Sequence, residues 1–189
     1  MVIDKSTSKD KILKAALALF TKKGIKSTTT KELARKARIA EGTIYTHFKC
    51  KEEIAHYLFK HYMGLFSEHL NLNCKDTTDP EHRMKALINA FFDFADEQPT
   101  ALYYIVIVHY TELNVLKKEK FTLRNIFADA IEYGIKKRRF ARLDKNLGAA
   151  LIVGMINRVI LSYNNGFIDM NYNKIVSDTN KAAIKLLTK

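Results

Sequence analysis

Apolar residues recur three and four positions apart along most of this 189-residue chain, and no alternating strand pattern longer than a few residues interrupts them. The first stripe, Ile12, Ala16, Leu19 and Phe20, predicts an amphipathic helix from Ile12 to Lys23, ended by Gly24. Leu33, Ala34 and Ala37 make a shorter apolar face, which Arg38-Ile39-Ala40 breaks, and Ile44 with Phe48 stripes a helix from about Glu41 to Phe48. A long fourth helix is expected from about Lys51 to Leu70, with the polar run Asn71 to Asp79 as a loop and Pro80 in the next first turn. Met84, Leu87, Ile88, Phe91, Phe94 and Ala95 carry that helix to Gln98-Pro99, and Thr100 to about Tyr110 reads as a short buried helix. Lys117 to Lys120 mark a turn; Phe127, Ala128, Ile131 and Ile135 stripe another helix; Lys136 to Asp144 is a loop ending in a cap. Leu147 to Tyr163 is apolar nearly all round, which on a helix predicts burial on more than one side. After Asn164-Asn165-Gly166, the residues Ile175, Val176, Thr179, Ala183, Leu186 and Leu187 stripe a last helix. The fold class expected is all-α, with about nine helices.

The two short helices within residues 28–51 are the most informative pair. Thr29 can accept from a first-turn N–H while Glu32, three residues on, reaches back to the Thr29 N–H, a reciprocal cap that also places a carboxylate at the positive end of the helix dipole. In the second helix Ile44 and Phe48 face inward and leave Thr43, Tyr45, Thr46 and His47 outward. Two short helices joined by a tight turn, with polar and aromatic side chains on the open face, are the layout of a DNA-reading helix-turn-helix. Glu41, Thr46 and His47 are the side chains expected near base edges, although His47 fits packing within the module equally well. Gly42 and Thr43 would let the backbone approach and supply a hydroxyl; Tyr45, Lys49 and Lys51 read as phosphate contacts; Thr29, Thr30 and Lys31 sit at the opposite helix start. Thr29 serves as a cap before it serves as a contact.

With Gly24-Ile25-Lys26-Ser27-Thr28-Thr29 leading in and Gly42-Thr43-Ile44-Tyr45-Thr46-His47-Phe48-Lys49-Cys50-Lys51-Glu52-Glu53 following, residues 9–60 resemble the DNA-binding domain of the tetracycline-repressor (TetR) family. The resemblance implies a helix-turn-helix domain over residues 1–51 and a helical effector-binding and dimerisation domain over 52–189. It also implies a homodimer whose last two helices pair with their symmetry mates, and a double-stranded, palindromic DNA operator. Two positions depart from the family. Arg38 stands where a glycine is usual in the turn, so a positive φ is less comfortable. Cys50 stands where serine or asparagine usually caps the fourth helix, and a thiol accepts weakly.

Charge sharpens this picture. The chain carries a net +12, but residues 1–51 hold 13 Lys and Arg against 4 Asp and Glu, whereas 52–189 hold 19 against 16. The excess lies on the module expected to meet a polyanion. Cys50 and Cys74 lack metal-ligand spacing and cannot make a disulfide framework, which suits a reducing cytoplasm, and the N-terminus has no signal-peptide core. The apolar stretches 101–108 and 148–163 read as too short for a membrane span, and Arg158 interrupts the second. No glycine-rich phosphate loop, serine-nucleophile motif or HExxH is present, and His109 with Glu112 lacks a third partner, so an enzyme is not expected, and neither a metal nor a cofactor.

For a small-molecule effector, the aromatic-rich region offers Phe91, Phe94, Tyr103, Tyr104, Phe127 and Met155, most of which a core would also claim; Tyr110 and Phe121 add to it. Arg158, in the middle of an apolar helix, either meets a carboxylate across the dimer, reaches solvent or faces an anionic ligand. The dimer surface is expected at Leu151, Val159, Tyr163, Ala183, Leu186 and Leu187. The expected function is a one-component, ligand-responsive transcriptional regulator in the cytoplasm, a repressor released from DNA by an apolar effector, with a fatty acid or acyl-CoA favoured. Cationic or aromatic xenobiotics are the alternative effectors; outside this class stands a basic architectural DNA protein.

Overall fold

The computed structural model describes residues 7–74, 77–108 and 123–188, and its described residues form nine α-helices, one π-helical turn and no strand. The expected features at His109, Tyr110, Glu112, Lys117 to Lys120 and Phe121 lie outside the described residues. In chain order the helices are α1 (Ser8–Lys23), α2 (Thr30–Ala37), α3 (Glu41–Tyr45), α4 (Lys51–Cys74), α5 (Pro80–Glu97), α6 (Pro99–Tyr103), α7 (Leu123–Lys136), α8 (Lys145–Asn164) and α9 (Tyr172–Thr188). Two compact units divide them. One gathers α1 to α3, α4 as far as Gly64, α6 and the π-helical turn Tyr104–Val108; the other holds α4 from Leu65, α5, α7, α8 and α9. This division falls elsewhere than the boundary after residue 51 expected from sequence.

Several boundaries moved for identifiable local reasons. Helix α1 begins at Ser8 because Thr7 and Asp10 form a capping box, a signal upstream of the first apolar residue. Helix α3 stops at Tyr45, and Phe48 stays buried beyond it because its N–H and that of His47 both bond the Ile44 carbonyl. Helix α4 continues through Asn71–Cys74 rather than yielding to a loop, with Asn73 donating to the His69 carbonyl at 2.8 Å. The apolar run after Pro99 splits into α6 and the π-helical turn.

In the first unit α1 packs on α2, α6 and the π-helical turn, and Ile12, Ala16, Phe20, Leu33, Ile44, Phe48 and Ile54 fill the interior. Tyr104 lies fully inside, donating its hydroxyl to the Ala55 carbonyl at 2.7 Å and stacking on Phe20. In the second unit α5 packs against α7, α8 and α9, and Phe66, Phe91, Phe94 and Phe127 form an aromatic core: the Phe66 ring meets Phe91 edge-on at 4.8 Å and stacks on Phe94 at 4.5 Å. The Phe140 ring fills the space a Cβ on Gly134 would take, and Gly148 lets α8 approach Ile131 of α7. Asp144 caps α8 by accepting from the Asn146 and Leu147 N–H groups.

Helix α8 departs from expectation in a further respect. It is long and apolar enough to cross a membrane by length and composition, Arg158 notwithstanding, yet only 28 % of its most apolar 18-residue window is buried within the chain. Ile152, Ile156 and Ile160 face the core, while Leu147, Ala150, Leu151, Gly154 and Arg158 are exposed. One face is covered, not all of them.

Replacing Gly134 with Ala should lower stability by about 2 kcal/mol or more, since the Phe140 ring must leave its seat. Urea unfolding checks this, and an unchanged midpoint would contradict the close approach.

Candidate nucleic-acid interface

The interface is built on a helix too short to stand alone. Five residues give α3 barely one hydrogen-bonded turn, so its position comes from tertiary contacts rather than propensity. Ile44 is buried beneath it, Glu41 at its start accepts from the Thr30 hydroxyl at 2.6 Å, and the Tyr45 hydroxyl donates to Thr30 Oγ1 at 3.3 Å. These bonds tie the first turn of α2 to both ends of α3. The turn between them closes with Ile39 N–H on the Ala34 carbonyl and with Arg38 in the left-handed region at φ 57° and ψ 48°. The backbone therefore adopts the glycine-like geometry despite its side chain, at a cost of about 1 kcal/mol.

The N-terminus of α2 is anchored as its sequence predicts. Thr29 accepts from the Glu32 N–H, the Glu32 carboxylate accepts from the Thr29 N–H, and it also takes Lys23 Nζ at 2.6 Å from the end of α1. The Lys23 ammonium, with the Thr29 N–H and hydroxyl, holds the Glu32 carboxyl down to about 2. Lys51, expected to touch phosphate, donates instead to the Lys26 carbonyl at 3.0 Å and the Thr28 carbonyl at 2.8 Å, clasping the α1–α2 loop to the start of α4. The Glu53 carboxylate accepts from the Lys49 N–H, so the α4 start is held by an acid rather than by Cys50. At the other side Lys9 Nζ sits 4.1 Å over the Tyr57 ring.

What this frame presents outward is a compact row. Tyr45 is 55 % exposed, and Glu41, Gly42, Thr46, His47 and Lys49 are exposed beside it, with Thr43 half-buried. The Thr46 hydroxyl donates to the Thr43 carbonyl and keeps its lone pairs free. A Cβ on Gly42 would meet nothing within 4 Å, so the fold itself does not require glycine there. Thr30 is half-buried in the α2–α3 contact, whereas Thr29 and Lys31 are exposed.

The residues expected to line an effector site do not assemble as one set. Phe91, Phe94 and Phe127 share the aromatic core of the second unit, and Met155 is half-buried in α8. Tyr104 belongs to the core of the first unit, and Tyr103, in the same unit, is 41 % exposed. Arg158 is exposed on α8. Of the residues expected at a dimer surface, Ala183 and Leu187 are buried in the chain's own core, Val159 and Tyr163 are half-buried, and Leu151 and Leu186 are 45 % and 40 % exposed. The apolar stripe of α9 thus faces mostly inward, with Leu186 its exposed member. The Arg138 to Arg142 loop and its flanks are partly neutralised: Arg139 pairs with Glu81 at 3.1 Å and Lys136 with Glu132 at 3.1 Å. A signal missed in sequence was the Glu81 and Glu132 charges placed to meet those cations.

Residues 28–51 thus form a helix-turn-helix with an exposed reading face, the class of module that enters a DNA groove. Residues 12–58 match the family of bacterial regulatory proteins, tetR family. That match assigns residues 12–58 to the DNA-binding domain of TetR-family transcriptional regulators. It is 26 % identical over 157 residues to the fatty acid metabolism regulator protein of Bacillus subtilis, covering 80 % of this chain and 81 % of that one. The fold is similar to that of the fatty acid degradation regulator FadR from Bacillus halodurans, with a TM-score of 0.78, 22 % identity, and coverage of 96 % and 97 %. It is similar as well to FadR from Bacillus subtilis in complex with stearoyl-CoA, with a TM-score of 0.75, 22 % identity, and coverage of 95 % and 97 %.

Two outcomes test this geometry. Because the folded Glu32 carboxyl titrates below its ordinary value of 4.5, its contribution to stability is complete above that pH and is lost as pH falls through about 2. The melting-temperature gap between wild type and Glu32→Gln should therefore narrow as pH drops from about 4.5 towards 2; a constant gap would contradict the anchoring role. Lys51→Met, which keeps the stem but removes the donor to two carbonyls, should cost about 1–2 kcal/mol in urea unfolding. No loss of stability would return Lys51 to the role of a free phosphate contact.

Proposed function

We propose that the chain is a cytoplasmic, homodimeric repressor whose residues 1–51 read a palindromic double-stranded operator and whose residues 52–189 dimerise and bind an apolar effector, with a fatty acid or acyl-CoA favoured. The observation that carries the DNA reading is the exposed row on α3 and its flank: Tyr45, Thr46, His47 and Lys49, with Gly42 open to close approach. Thr46 and His47 stand near base edges in this reading, and Thr43, Tyr45 and Lys49 near phosphates. Thr29, Thr30, Glu41 and Lys51 shape the site; Lys31 adds charge.

The dimer reading rests on the uncovered side of α8. Leu147, Leu151 and Gly154 share one exposed face, where a Cβ on Gly154 would meet nothing within 4 Å, and Leu186 of α9 adds a further exposed apolar side chain. A twofold dimer suits a palindrome. The effector reading rests on the aromatic core around Phe91, Phe94 and Phe127, and gains support from the relatives that regulate fatty acid metabolism or bind stearoyl-CoA. An effector releases DNA only through different affinities for the two conformations of the regulator.

Selection of duplexes from a random-sequence pool tests the function directly, with a palindromic consensus expected; recovery of unrelated sequences would support an architectural protein instead. On the selected duplex, Lys49→Ala should lower the salt slope by about one unit, and Gly42→Ala should weaken binding without lowering the melting temperature. Sedimentation of Leu151→Glu combined with Leu186→Glu should give monomers. Dimers of that variant at micromolar concentration would place the interface elsewhere.

A further inference from the structure

We infer that Glu41 is a specificity-determining residue of the DNA-reading face: its carboxylate, held by Thr30, accepts from the exocyclic amine of one cytosine in the major groove of each half-site. This rests on the DNA reading above and deepens it by naming the base. Glu41 is the first residue of α3 and is exposed, and one of its oxygens accepts from the half-buried Thr30 hydroxyl at 2.6 Å. The Tyr45 hydroxyl, from the last residue of α3, donates in turn to Thr30 Oγ1 at 3.3 Å and so orients the hydroxyl that holds Glu41. The bond to Thr30 does not account for the charge, because a glutamine oxygen would accept from Thr30 equally well. Nor does a cation account for it: among the described residues no lysine or arginine pairs with Glu41. The neighbouring acids are differently placed. Asp10 and Glu32 close capping boxes, Glu32 takes Lys23 as well, and Glu53 accepts from the Lys49 N–H. Glu41 alone of these stands as a carboxylate on the reading face of a module with 13 Lys and Arg against 4 Asp and Glu in residues 1–51.

Phosphates repel such a group, and base edges sort it. A carboxylate accepts and cannot donate, so guanine O6 and N7 and thymine O4 turn it away, and the amines of cytosine and adenine suit it. In an A·T pair the adenine amine lies between two acceptors, adenine N7 and thymine O4, whereas in a C·G pair the cytosine amine has an acceptor, guanine O6, on one side only. Cytosine therefore repels the second carboxylate oxygen least. Discrimination of this kind comes as much from a charge left unpaired against the wrong base as from the bond to the right one. Gly42, next in the chain, meets nothing within 4 Å and carries no side chain, so the backbone can come close enough for Glu41 to reach a base edge.

The test selects duplexes from a random-sequence pool with wild type, Glu41→Gln and Thr30→Val. Wild type should recover a palindrome with cytosine fixed at one or more positions of each half-site. Glu41→Gln keeps an acceptor for Thr30 but offers an amide that pairs with adenine N6 and N7, so adenine should replace cytosine at one such position and nowhere else. Thr30→Val, which frees the carboxylate, should keep cytosine there with a preference about threefold weaker. On the wild-type duplex, changing that cytosine to thymine should weaken binding of wild type about tenfold and of Glu41→Gln much less. A merely structural glutamate would lower affinity for every duplex alike. A wild-type half-site without a fixed cytosine, the same consensus for wild type and Glu41→Gln, or a cytosine-to-thymine change felt equally by both proteins overturns the base contact and leaves the DNA reading standing. An undiminished cytosine preference in Thr30→Val overturns the holding role of Thr30. Recovery of no consensus by wild type overturns the DNA reading and the contact with it.

Discussion

A five-residue helix cannot hold its own shape in water, and the function of this protein hangs on where that helix is held. Everything around α3 serves to fix it. Ile44 and Phe48 are sunk in the first unit's core, Thr30 reaches Glu41 and receives Tyr45, and the α2–α3 turn is closed by backbone bonds that force Arg38 into a left-handed conformation. Behind that turn, Lys23, Glu32 and Lys51 lock the α1–α2 loop against its neighbours. The cations nearest α3 thus divide into two groups: those bonded inside the fold, and those such as Lys49 that lie exposed. Charge count alone does not separate them. Geometry does.

The second unit obeys a different constraint. Its helices bury one aromatic centre and leave apolar surface on α8 that a solitary chain gains nothing by exposing. Length and hydropathy make α8 look like a membrane span, while a buried flank of isoleucines packed on α5, α7 and α9 commits one side of it to the chain's own core. In the dimer proposed above, the uncovered leucines and the open Gly154 would meet a second copy of the chain rather than lipid, the opposite side being packed on protein.

The helices were legible in sequence wherever an apolar stripe and a cap agreed, as for α2 with its Thr29 and Glu32 box, α5 with Pro80 and α8 with Asp144. The helix-turn-helix was legible because it needs few residues at fixed spacing. What periodicity cannot give is the destination of a long side chain or the choice between two inward faces. Lys51 looked like a phosphate ligand until two carbonyls claimed it, and Ala183 and Leu187 looked like partner contacts until the chain's own core did. Tyr103 and Tyr104 sit close to Phe91 and Phe94 in sequence, but Pro99 starts a new helix and carries them into the other unit.

The proposed role of α3 in reading DNA is tested most directly by hydrogen exchange of the protein with and without its selected duplex. Binding should slow exchange of amides from Thr28 to Lys51, above all at Gly42 to Lys49, because a groove shields backbone that the fold leaves open. Protection confined to α7, α8 or α9, with exchange across α2 and α3 unchanged, would contradict it.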